Sequence, residues 1–226
     1  MASIRDLRRC AARHIAHFTD PNGNRGFHTY DRLGDPATLT PLDCLAPALL
    51  SVPISYRQVV PLFRPGGPGA KVREAMQAVL DDHGCAQADF LDIDLSDSAG
   101  PWALVEAAIL STGPNGASAP VPDFKAVAVT KILHRKRPNL VPIFDSQIYH
   151  FYFGKAPPYG AYDETPKKLW PRLQADLQAN RRWVARLAAG FRTPDDRPLS
   201  ILRAADITIW EHRVTRCHSA CTGRPA

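Results

Sequence analysis

Apolar residues return every three or four positions along almost the whole chain, while alternating runs rich in Val, Ile or Thr are few. That repeat follows the helical turn and not the two-residue pleat of a strand, so an all-α protein is predicted. With 226 residues, 45% of them hydrophobic, the chain can bury a full core as a single helical domain, 1–226. Residues 3–18 read as an amphipathic first helix, and the turn-rich residues 19–38 as an ordered loop. At "TPLDC" the next helix start is well specified, with Thr40 as N-cap, Pro41 in the first helical position and Asp43 closing a capping box.

Further helices are expected over 56–63, 70–84 (closed by Gly84), 98–112, 123–137 (stopped by Pro138), from Asp145 to about 153, and over 165–189 and 198–216. The stretch "FLDIDL" is expected as a brief extended piece.

Charge and cysteine usage limit the setting. Lys and Arg outnumber Asp and Glu by 28 to 22, a net +6, which permits a polyanionic partner without requiring one. Five scattered cysteines, an odd number, argue against a disulfide framework and for a reducing compartment, with the cytoplasm as the default. No apolar run approaches the roughly 18 residues of a membrane span, and the N-terminal stretch lacks a continuous signal-peptide core.

One stretch concentrates chemistry. "KILHRKRPNLVPIFDSQIYHFY" passes from a basic helix end through an apolar, proline-flanked link to a single acid, Asp145, that opens an aromatic helix. A carboxylate at a helix N-terminus gains backbone N–H partners that keep it ionised and fixed in direction. Upstream, Asp123-Phe124-Lys125 precede the helix "AVAVTKILHRKRP", and Asp145 lies twenty residues after Lys125.

This arrangement resembles the helix-hairpin-helix DNA glycosylases of base excision repair, in which a hairpin, a helix and an apolar link lead to a catalytic Asp followed by Thr or Ser. A second stretch, "LDCLAPALLSVPISYRQVV", is similar to that family's early helix, whose end runs into the segment that fills the gap left by a flipped base. Together they span residues 40–152, in the family's order, and bacterial sequences sharing "K-x-L-x-R-K-R-P-x-L-x-P-I-x-D-S" are similar over that stretch, with no activity implied by them.

The resemblance implies a two-lobed helical bundle with a glycosylase-like core at about 40–153, against which helices 165–216 pack together with the N-terminal helix. It implies Asp145 as the catalytic carboxylate that stabilises an oxocarbenium-like sugar or activates water. It implies Lys125, Lys131, Arg135, Lys136 and Arg137 as nucleic-acid-binding residues, and Tyr149 and Tyr152, with Phe151 or Trp210, as stacking partners for an extruded base. A nucleic acid or nucleotide is the partner, a membrane is not, and no cofactor is called for.

Three positions depart from the family. Its Gly-hydrophobic-Gly hairpin is Asp123-Phe124-Lys125 here, so an acid and side chains stand where bare backbone would approach phosphate. The position of the lyase Lys is Val127, so Schiff-base chemistry is not expected. The gap-filling Gln falls near Pro53.

The same residues also fit plainer roles. Asp145 is a common N-cap type, and the Lys131 to Arg137 run suits a solvated helix end that complements the dipole. Asp31 is a second acid in a loop, His134 can bond locally, and His14 and His17 read as surface residues. Trp102, Trp170, Trp183 and Trp210 fall in helical patterns as core. His212, Cys217, His218 and Cys221 lie close in sequence, but their spacing matches no zinc finger and no four-cysteine cluster, so no metal is expected. The function that follows is cleavage of an N-glycosidic bond in DNA or a nucleotide without lyase activity; the alternative is a non-catalytic nucleic-acid- or partner-binding protein on the same scaffold.

Overall fold

In a computed structural model the described residues are 2–23, 25–32, 34–113, 119–157 and 164–217, the side chains of 164–166 excepted. They are all-α: eleven α-helices and two 3-10 turns, with one isolated antiparallel bridge, Arg192 to Pro198, as the β pairing among them. The segment "FLDIDL" forms turns rather than an extended piece, its start tied by Phe90 N–H donating to the Asn139 carbonyl. The first amphipathic segment is divided into a 3-10 turn, Ile4–Leu7, and helix α1, Ala11–Phe18. Each buries its own apolar set, and α1 turns Ala11, His14, Ile15 and Phe18 inward at helical spacing.

Local chemistry accounts for most helix boundaries. After the short α2, Phe27–Tyr30, helix α3, Pro41–Leu45, starts with the Thr40 and Asp43 capping box and runs into a 3-10 turn, Ala46–Leu50. That turn ends at Ser51 in the left-handed region, with φ 62°. A second capping box, Ser55 with Gln58, opens α4, Tyr56–Phe63. Helix α5, Ala70–Asp81, stops short of Gly84, because the Asp82 side chain accepts from Cys85 N–H and begins a new short helix, α6, His83–Gln87. Helix α7, Pro101–Leu110, has proline in its first turn. The remaining helices are α8, Ala126–Lys136; α9, Ser146–Phe153; α10, Glu164–Ala189; and α11, Ile201–Val214.

The principal helix contacts fall into two groups. Helix α11 packs on α1, α9 and α10, while α5 packs on α4, α7 and α8, and the 46–50 turn packs on α2, α3 and α8. A run of aromatic edges, Phe90 to Trp102 to Trp170 to Phe144, joins the groups through a shared core. The link 140–144 between α8 and α9 is buried throughout, so the acid that follows it starts α9 at the seam.

Candidate active site at the seam

Asp145 caps α9, and its position follows from the residues on either side. Its backbone is extended, its Oδ1 accepts from the Gln147 N–H at 2.8 Å, and Gly154 closes the helix with φ 69°. Its other oxygen, Oδ2, accepts from Lys131 Nζ at 3.2 Å, and the same ammonium donates to the Leu50 carbonyl at 3.0 Å. Lys131 is 4% exposed, so its charge is held inside the protein by these two oxygens.

Both residues line a recess that opens to solvent between the helix groups, with Leu49, Leu50 and Ser51 on one side and Phe18, Arg203, Asp206 and Trp210 on the other. Its free room is about 70 Å³, well below the roughly 300–1,000 Å³ of sites that engulf a whole ligand. At its edge the Arg25 guanidinium lies 4.9 Å from the centroid of the Trp210 ring and 2.9 Å from a carboxylate oxygen of fully buried Glu211.

A second carboxyl shares this wall. Asp206 on α11 accepts from Arg203 Nη1, while Arg203 grips Asp31 through Nε and Nη2 at 2.7 Å each. Burial lifts the Asp206 carboxyl to about 6; the Arg203 charge opposes that rise and the neighbouring Asp145 charge adds to it. The recess therefore sets a carboxylate fixed by a cation beside a carboxyl that keeps its proton up to mildly acidic pH. Such a pair can stabilise positive charge on a substrate and donate a proton to a leaving group.

The basic run is turned largely onto the protein's own oxygens: Lys136 and Arg137 are buried, which corrects the expectation of a phosphate-binding surface for those two, Arg135 is partly buried, and Lys131 is the buried partner of Asp145 at the recess. Arg135 donates to the Tyr30 carbonyl at 2.8 Å and pairs with Asp43 at 2.5 Å. Lys136 Nζ is surrounded by the carbonyls of Asp35 and Thr38, at 2.6 and 3.0 Å, and by Asp43 Oδ2 at 2.9 Å. Arg137 donates to the carbonyls of Pro36 and Leu80. These cations clamp residues 30–43 to the end of α8 and are spent on that task. Lys125, at the N-cap of α8, stays partly exposed and away from the recess.

Tyr149 and Tyr152 are corrected as well. Both are buried; Tyr149 stacks on Phe153 at 4.4 Å, and the Tyr152 hydroxyl donates to Asp176. Neither can reach an extruded base, and the aromatics that line the recess are Phe18 and Trp210. Asp31 is consumed by Arg203, and the second acid is Asp206. Its signal lay in α11, where Arg203 and Asp206 stand one turn apart within "LRAADITI". The expectation of a surface position fails for His14, which is buried, and holds for His17, which is exposed and pairs with Glu211.

Cys10 is disulfide-bonded, a pairing that the scattered, odd-numbered cysteines did not announce; its partner lies outside the described residues, as do His218 and Cys221. Among the described residues, one group of metal-ligating types comes together, Cys10, His14 and Cys217, apart from the recess. His134 Nδ1 meets the Val141 carbonyl at 2.7 Å, a local bond that fixes the α8–α9 link. No helix among the described residues is long and apolar enough to cross a membrane.

At the hairpin position Asp123 has φ 62°, in the left-handed region that favours glycine, and Phe124 is buried. Helix α7 ends thirteen residues before Asp123, so no helix directly precedes this turn among the described residues.

Residues 11–213 match a family model described as a family of unknown function (DUF6308). No curated protein and no solved structure matches the chain.

Proposed function

The chain belongs to the DUF6308 family, and we propose that it hydrolyses an N-glycosidic bond of a nucleotide unit, as a distant relative of the helix-hairpin-helix DNA glycosylases. The observation that carries this reading is a convergence. The two stretches that resemble that family, one containing Leu49-Leu50-Ser51 and the other Asp145, lie far apart in sequence and meet across one recess. The left-handed backbone at Asp123, where the family carries glycine, supports the same relation.

In this mechanism the C–N bond to the base breaks as Asp206 passes its proton to the leaving nitrogen. Asp145, held by Lys131 and the Gln147 N–H, stabilises the cationic sugar. Water adds to the sugar carbon and its proton returns to Asp206. The small recess suits the sugar side of one nucleotide, with the base at the mouth beside Trp210, rather than a base swallowed whole. With Lys131, Lys136 and Arg137 buried and Arg135 paired with Asp43, the substrate is a free nucleotide or an unpaired strand rather than a duplex gripped along its phosphates.

The test is chromatographic detection of base release from nucleosides, nucleotides and single-stranded oligonucleotides carrying normal, deaminated and alkylated bases. Release that disappears in Asp145→Asn and in Asp206→Asn, with the fold intact, is the expected result. No release from any substrate, or release indifferent to both substitutions, ends the proposal.

Exposed apolar and aromatic side chains favour the second reading, a non-catalytic protein that binds a single strand. Tyr56, two-thirds exposed, stands beside Arg57 at the start of α4, with Leu42 and Val60 also exposed. A tyrosine face next to an arginine can stack an unpaired base. Oligonucleotide binding that survives Asp145→Asn and is lost in Tyr56→Ala identifies this case.

A further inference from the structure

Helices α1 and α11 lie against each other, and near one end of that contact three residues of ligating type gather from distant parts of the chain. Cys10 caps α1, His14 follows one turn later on the same face, and Cys217 lies just beyond the end of α11. Two sulfurs and an imidazole nitrogen, one atom from each residue, all lie within 4.8 Å of one another. Ligands held about 2.0–2.3 Å from a shared tetrahedral ion stand about 3.5 Å apart, so small side-chain rotations would bring the three onto one centre. The exposed guanidinium of Arg13 donates to Cys217 Sγ at 2.7 Å, which fixes that sulfur from outside and leaves it an outer partner on ligation. Beyond Cys217 the sequence continues with His218 and Cys221, two more residues of ligating type.

We propose that reduction of Cys10 turns this cluster into a zinc site, with Cys10 and Cys217 as thiolate ligands and His14 as the imidazole ligand. The donor set is soft and free of carboxylates, which suits zinc over calcium or magnesium. Cys10 is disulfide-bonded in the structure, so the site is gated by redox state. A dithiol reductant puts two electrons into that S–S bond, giving two thiols while the dithiol becomes its own disulfide. Zinc then displaces the protons of the ligating thiols.

The ion would pin α1 to α11, the two helices that bring Phe18, Arg203, Asp206 and Trp210 to the recess. In either redox state the N-terminal helix is tied, by a covalent bond when oxidised and by the metal when reduced.

The test uses the full chain, purified with and without a dithiol reductant, loaded with zinc and freed of excess by gel filtration. Elemental analysis of the reduced protein should find about one zinc per chain, removed by oxidation and lost in Cys217→Ser. Cobalt(II) added to the reduced, zinc-free protein should give a thiolate-to-cobalt charge-transfer band, absent in Cys217→Ser. Reduced, folded wild type that binds no zinc and gives no such band overturns the proposal. Zinc retained unchanged in both Cys217→Ser and Cys10→Ser also overturns it. Because the cobalt band is read on the wild type, the test decides the matter even where a variant folds poorly.

Discussion

Lys131 Nζ stands 3.2 Å from Asp145 Oδ2 and 3.0 Å from the Leu50 carbonyl oxygen, so one buried ammonium joins the start of α9 to the turn at residues 46–50. Lys131→Met strips the carboxylate of its cation and leaves the Leu50 carbonyl without that donor. A loss of about 3 kcal/mol in urea unfolding is expected. The double variant Lys131→Met, Asp145→Asn should lose less than the two single losses added together. Strict additivity would show that the pair does not couple.

Asp206 predicts a pH dependence with a definite sign. Its carboxyl titrates at about 6 in the fold against 3.8 as an ordinary side chain, so between those values the native state holds the proton that the unfolded chain has released. Stability from this group is therefore full at low pH, declines as pH rises through about 4 to 6, and is flat above, a change of about 3 kcal/mol. Urea midpoints of wild type and Asp206→Asn measured across that range should differ in slope, with the variant lacking this decline. Base release, if Asp206 is the acid, should fall about tenfold per pH unit above 6.

Arg203 holds Asp31 with two parallel bonds and faces the rings of Phe18 and Tyr30, with its guanidinium carbon 5.1 and 5.2 Å from their centroids. Arg203→Lys keeps a positive charge but loses the forked geometry and the flat face, and a loss of about 3 kcal/mol is expected. Arg203→Met should also raise the pH at which Asp206 titrates, because the opposing cation is gone. A titration of Asp206 by NMR that stays in place would contradict this.

Gly26 has an ordinary φ of −72°, yet a Cβ there would come within 2.2 Å of the Leu49 carbonyl oxygen. Gly26→Ala must push residues 46–50 away from Arg25, at a cost of about 1–3 kcal/mol. The shift moves the Leu50 carbonyl that Lys131 relies on, so the variant should lose ligand binding or turnover more than a loss of stability alone explains. Comparing activity at a temperature where both proteins are fully folded checks it.

What could be read from the chain follows the range of each interaction. The Thr40 and Asp43 box and the Asp145 cap are made by residues two or three apart, and the structure forms both. The basic run at the end of α8 has the same local pattern whether it meets water or carbonyl groups. Its acceptors at Asp35, Pro36 and Thr38 come from about a hundred residues upstream, so no local pattern announces their arrival. Asp206 sits in a helix whose period is satisfied without it, and Cys10 is separated from Cys217 by nearly the whole chain.

The oxygen cage around Lys136 carries a practical consequence. Its ammonium occupies the place a potassium ion takes in a crown ether, ringed by two carbonyls and a carboxylate, with 1% of the side chain reachable by solvent. An acylating reagent can capture that amine only during moments when residues 35–43 lift away. The rate at which Lys136 becomes labelled is thus a clock for the opening of this segment, readable by mass spectrometry without any knowledge of what the protein binds.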